Sequence, residues 1–277
     1  MKFSTVKKTF ISIFVTLGII TVNGCTLGKK GSINYFIEQK KQNPNEIIEL
    51  ICDPGSDSSI RSENYDKLSK LTSLESITFI AIASEEDAQN YFSQLVQLPN
   101  LKCVRIESSR IGSISKLAEI PKLQELHIIA DTYGIPSAKI DDLDILGEKG
   151  GFTDLKILEL RNMQRETMPD MSELKNLEEL SISGYDLKKL DYDCFCWSGL
   201  TSLDISATGI SELDNRIVNE LKDLKKLDLS WSDIKDVSFV LDLPQLKEFR
   251  YIMHTYNNTN IDVLKKHPNF DESWMCD

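Results

Sequence analysis

Between Leu71 and Tyr251 the apolar positions recur in one phrase: an apolar residue, another three on, another three beyond that, and a last one two further. Eight copies follow it: Leu71-Leu74-Ile77-Phe79, Leu98-Leu101-Val104-Ile106, Ile120-Leu123-Leu126-Ile128, Phe152-Leu155-Leu158-Leu160, Leu174-Leu177-Leu180-Ile182, Trp197-Leu200-Leu203-Ile205, Leu221-Leu224-Leu227-Leu229 and Leu243-Leu246-Phe249-Tyr251. Counted on the second member, the steps are 27, 22, 32, 22, 23, 24 and 22 residues. A period in the low twenties marks a chain of stacked coils, each a short strand and a return segment. One coil cannot enclose its own apolar side, so neighbours must stack around a continuous core.

Within each strand the side chains alternate, and the residues between the inward members stand on the open side of the sheet. The alternation places Arg105, Glu125, His127, Glu159, Arg161, Glu179, Asp204, Asp228 and Arg250 there, with Cys103, Glu107, Lys226, Glu248 and several serines. This face is polar and mostly acidic. Glu46–Cys52 reads as a degenerate first strand, with Cys52 inward and Glu49 outward.

On these repeats the chain resembles the leucine-rich-repeat family over roughly residues 46–256, most closely the 22-residue bacterial class of surface and exported proteins. The resemblance implies an α/β fold: a right-handed solenoid with a parallel concave β-sheet and short helices or irregular segments on the convex side. It also implies recognition of another protein through the concave face. The chain departs from the family at the bend. An Asn normally stands three residues after the last apolar strand position and bonds the backbone of adjacent turns; here Ile82, Ser109, Asp131, Met163, Tyr185, Thr208, Ser232 and His254 take its place. Hydroxyls replace part of that network, but Ile82 and Met163 cannot, so their bends are expected to deviate.

Two insertions lengthen the repeat. Ser84-Glu85-Glu86-Asp87 opens a capped amphipathic helix with Ala88, Tyr91, Phe92 and Leu95 on one face. Between Ile128 and Phe152, a helix-like run Ile140–Leu146 is bracketed by Gly134, Pro136 and Gly150-Gly151, and is expected to bulge from the solenoid.

The N-terminus follows other rules. Lys2, Lys7 and Lys8 precede an apolar run from Phe10 to Val22, too short to span a bilayer comfortably and of signal-peptide form. Val22-Asn23-Gly24-Cys25 resembles a bacterial lipoprotein cleavage box, which makes residues 1–24 a signal peptide and Cys25 the lipid attachment site. Residues 25–32 then read as a tether, 33–45 as a cap helix over the first coil, and 257–277 as a C-terminal cap in which Phe270 and Trp274 shield the last one.

The whole chain has 32 basic and 43 acidic residues; losing residues 1–24 removes three Lys, leaving 29 against 43 and a net charge of −14. Such a polyanion repels phosphate backbones and disfavours nucleic acid as a partner. Proteins, or glycans, are the expected partners.

Little in the sequence points to catalysis. His127, His254 and His267 lie many repeats apart, and no second Cys or His pair accompanies Cys194-Phe195-Cys196 at ligand spacing, so neither metal nor cofactor is expected. Cys103 and His127 stand where they could meet across adjacent strands, a pair of interest for metal or redox work, though neighbouring polar residues on a sheet are the ordinary reading. Serines beside Asp204 and Asp228 lack a base. The expectation is a non-enzymatic recognition module at a bacterial membrane surface; the alternative is a passive envelope component, structural or assisting assembly, that uses its convex side.

Overall fold

The computed structural model describes residues 48–52, 68–80, 82–130, 140–163, 165–184, 187–252 and 260–275. The expected signal peptide, Cys25, the expected tether and the expected N-terminal cap lie outside them. Nine strands form one sheet in chain order, every neighbouring pair parallel: β1 (Glu49–Cys52), β2 (Ser76–Ile80), β3 (Cys103–Glu107), β4 (Glu125–Ile129), β5 (Ile157–Arg161), β6 (Glu179–Ser183), β7 (Ser202–Asp204), β8 (Lys226–Asp228) and β9 (Glu248–Arg250). This is the expected α/β leucine-rich-repeat solenoid.

Every member of the eight apolar copies is buried, none more than 6% exposed. The register aligns them across strands, so Leu158, Leu180, Leu203, Leu227 and Phe249 form one row of the core. Just before each strand but the last, one carbonyl receives two N–H groups from the next coil: Lys156 O from Glu178 and Glu179, Glu178 O from Thr201 and Ser202. Cys52 is buried and Glu49 exposed, as the alternation requires.

The first insertion is helix α1 (Glu85–Leu95), capped by Ser84, whose Oγ accepts from Asp87 N at 3.1 Å. Its buried face is Ala88, Tyr91, Phe92 and Leu95, and the Tyr91 and Phe92 rings pack on Phe79 at 5.0 and 6.4 Å. The second insertion departs from expectation. Ile140 forms a parallel bridge to Gly112, and Leu143 and Leu146 of a 3-10 turn (Leu143–Gly147) enter the core. Asp142 accepts from Ile114 N at 2.8 Å and Ser115 N at 3.2 Å. Residues 140–147 are therefore stitched into the wall, because burying two leucines outweighs a free loop; residues 131–139 lie outside the described set.

The bends also depart from expectation. Asn162, Gly184, Ala207 and Trp231, one residue before the family's Asn position, all take left-handed φ, at 56, 73, 55 and 62°. Each donates its N–H to the next coil: Asn162 to Ser183 O, Gly184 to Ser206 O, Ala207 to Ser230 O and Trp231 to Ile252 O. The Met163 bend thus follows its neighbours, with Met163 packed into the core. Asn162 Nδ2 reaches back to Ala130 O at 3.3 Å, doing one position early what the family's Asn does. Thr208 Oγ1 bonds Ile205 O at 2.8 Å.

At the far end, Trp274 is buried against Phe249, 5.8 Å away, and donates Nε1 to Lys247 O. Among the described residues no helix is long and apolar enough to cross a membrane.

Candidate interaction face of the sheet

The register assembles the outward residues into columns. The central one runs Thr78, Arg105, His127, Glu159, Ser181, Asp204, Asp228, Arg250. Beside it run Cys103, Glu125, Ile157, Glu179, Ser202, Lys226 and Glu248. All nine residues expected on this face stand on it; Glu179 is exposed on β6, and the other eight fall into two unlike groups on either side of it.

In the first group the charges satisfy one another around Glu159, whose side chain is only 11% exposed. Arg105 Nη1 lies 3.2 Å from Glu159 Oε2, His127 Nδ1 2.7 Å from that same oxygen, and Arg161 Nε 2.5 Å from Oε1. Arg105 also bonds Glu107, and Arg161 reaches toward Asp204 at 3.8 Å. Burial opposes ionisation of Glu159, but the His127 hydrogen bond and the Arg161, His127 and Arg105 charges outweigh it and hold its pKa below the usual carboxylate value. Burial likewise opposes a charged His127, yet hydrogen bonds to Cys103 and Glu159 raise its pKa to about 9. The pairing of cysteine and histidine is geometrically real, with Glu125 as a third member: the three ligand atoms all lie within 4.8 Å of one another. The sequence paired His127 with Cys103 alone and missed Glu125 and Glu159 as its further companions.

In the second group the charges stay accessible. Ser202, Asp204, Lys226, Asp228, Glu248 and Arg250 line a shallow depression of about 240 Å³. Asp204 and Asp228 use one oxygen each on Ser206 N and Ser230 N, both at 2.9 Å, and Ser181 Oγ donates to the other oxygen of Asp204. Among the described residues Arg250 makes no ion pair, while Lys226 and Glu248 face each other at 3.4 Å with both side chains more than half exposed. Just past the ends of β8 and β9 stand Trp231, 41% exposed, and Ile252, 36% exposed, joined by the bond from Trp231 N to Ile252 O. Trp231 is the exposed aromatic of this end of the sheet, and the sequence reading overlooked it. Its signal was the left-handed position that its coil shares with Asn162, Gly184 and Ala207, where a bulky side chain is costly.

The other candidate groups are accounted for by packing. His267 is buried: Nδ1 accepts from Asn269 N, so Nε2 donates to Leu243 O at 3.0 Å. Cys52 is pushed up to about 12 by burial, which makes it inert. Cys194 and Cys196 are free thiols, the first bonded to Asp191 O and raised to about 11 by burial and then by Asp191 and Asp170, the second exposed. His254 lies outside the described residues.

No protein-family model matches the chain, and no curated protein matches it. Solved structures do resemble it. An internalin, InlF, from Listeria monocytogenes superposes with a TM-score of 0.50 at 18% identity, over 82% of this chain and 73% of that one. TLR13, in its complex with the single-stranded RNA ssRNA13, gives 0.57 at 20% identity, over 81% of this chain and 32% of that one. InlP from Listeria monocytogenes gives 0.50 at 17%, over 70% and 55%. At these identities the likeness establishes the fold alone, and the chain spans only part of the two latter neighbours.

Proposed function

We propose that this leucine-rich-repeat solenoid is a non-enzymatic protein-recognition module, tethered to a bacterial membrane surface through a lipidated Cys25, that captures its partner on the concave sheet face. The observation that carries the reading is Trp231 with Ile252, exposed apolar side chains just past the strands whose Asp228 and Arg250, with Asp204 and Lys226, line the charged depression. An exposed tryptophan on the coil of Asp228, which like Arg250 makes no ion pair among the described residues, has the composition of an interface hot spot and its polar surround. Its left-handed backbone adds to this, since a bulky residue held in a costly conformation is selected for something other than stability. The resembling structure of TLR13 holds single-stranded RNA. In this chain the two aspartates at the centre of the depression and the net negative charge favour a protein with basic and apolar contacts instead.

The test is crosslinking in intact cells with a photoreactive side chain at Lys226 or Ile252, compared with Glu86 on α1. Adducts from the first two positions, abolished by Trp231→Asn, are expected; Asn is chosen because it accepts left-handed φ, so unfolding should shift by less than about 0.5 kcal/mol. Adducts from Glu86 alone would transfer the function to the convex side and to a passive envelope role. Labelled palmitate should enter the chain and be lost in Cys25→Ala; an unlabelled chain would refute the anchor.

A further inference from the structure

On the other half of the face, Cys103, Glu125 and His127 turn their heads to one point. Cys103 stands directly opposite Glu125 in the register, and His127 follows Glu125 by two residues on the same side of β4. Sulfur, carboxylate oxygen and ring nitrogen all lie within 4.8 Å of one another.

The histidine is oriented by its other nitrogen. Nδ1 is 2.7 Å from Glu159 Oε2, and because an ionised carboxylate only accepts, Nδ1 carries the proton and donates it. Nε2 points into the cluster, 3.7 Å from Glu125 Oε2, and gives up its proton to a metal ion that binds there. Two ligands on a tetrahedral zinc ion, with bonds of about 2.1 Å, stand roughly 3.4 Å apart. The imidazole and carboxylate are thus close to ligand spacing before any metal is present. Glu159 in turn is fixed by Arg105 and Arg161, so the carboxylate behind the histidine has little freedom to swing away.

We propose that Cys103, Glu125 and His127 form a zinc site, with Glu159 as the positioning residue that sets the His127 tautomer. A thiolate, an imidazole and a carboxylate are a donor set for zinc rather than for calcium or magnesium, which take oxygen ligands. Three protein ligands leave a fourth position facing solvent, where a water molecule or a side chain of a bound partner completes the tetrahedron. The same three groups resemble a thiol nucleophile with its base, but that chemistry needs donors for an oxyanion. The backbone N–H of Cys103 is bonded to Glu75 O and that of Glu125 to Lys102 O, so neither is available. The site is independent of the Trp231 surface and stands or falls separately from the proposed recognition.

The experiment uses the full chain, purified in reducing buffer, stripped with a chelator and titrated with Zn²⁺ alone and with Co²⁺ alone. One zinc per chain is expected, and the cobalt form should show a thiolate charge-transfer band with the intense ligand-field bands of a four-coordinate ion. Cys103→Ala should lose the charge-transfer band, and His127→Gln should lose stoichiometric zinc. Glu159→Gln should weaken zinc by about 10–100-fold while leaving the cobalt spectrum in place. Cys196→Ser, at an exposed thiol outside the cluster, should change nothing. Circular dichroism of each metal-free variant separates loss of metal from loss of fold. A charge-transfer band that survives Cys103→Ala, or less than one zinc bound by the folded parent chain, overturns the proposal.

Discussion

At Gly184 the backbone turns with φ of 73°, and an added Cβ would lie 2.3 Å from Asn162 Oδ1 and 3.1 Å from Asn162 Cα. The side-chain oxygen can move aside, but the Asn162 backbone cannot without disturbing its own bond to Ser183 O. Gly184→Ala is therefore expected to cost more than about 1 kcal/mol, read as a lower midpoint in a urea melt. An unchanged midpoint would show that the bend is softer than this geometry requires. Ala207 occupies the equivalent position with a Cβ, so the cost at Gly184 comes from the close approach of Asn162 added to the left-handed backbone.

Among the elements, α1 was legible in full and the later strands were not. Ser84 both accepts from Asp87 N and donates to Asp87 Oδ2 at 2.6 Å, and Glu85, Glu86 and Asp87 place negative charge at the positive end of the helix. Ser84→Ala should cost about 1 kcal/mol of unfolding free energy in denaturant titration; no change would mean that burial of Tyr91 and Phe92 alone fixes the helix start. Strands β2–β6 have five residues each, whereas β7, β8 and β9 have three. The shortening has a local cause in β7 and β8. Asp204 and Asp228 fold back onto Ser206 N and Ser230 N, turns that end the strand and hold one carboxylate oxygen in the depression.

Over the whole molecule, each coil contacts chiefly its neighbours, so the end coils carry the risk of exposure. Trp274 covers Phe249 of the last strand, and Phe270 and His267 pack around it at 6.0 and 5.1 Å. Trp274→Ala should lower stability by roughly 3–5 kcal/mol and open an apolar end for self-association, measured by light scattering. A monodisperse variant of undiminished stability would show that some other segment seals this end.

The sequence by itself determined the solenoid, its nine strands, their inward rows and the outward placement of Arg105, Glu125, His127, Glu159, Arg161, Glu179, Asp204, Asp228 and Arg250. It could do so because alternation and coil stacking are local rules repeated many times, each copy reinforcing the others. Only the tertiary structure decided which outward side chains meet. Glu159 gathers Arg105 from two strands away, with His127 and Arg161, and Glu125 joins Cys103 and His127, through side-chain rotamers and lateral neighbours that no periodicity encodes. It likewise exposed Trp231 and drew Leu143 and Leu146 into the wall. Whether an apolar side chain lies inside or outside depends on what the adjacent coil leaves uncovered, and that is a property of the packed stack.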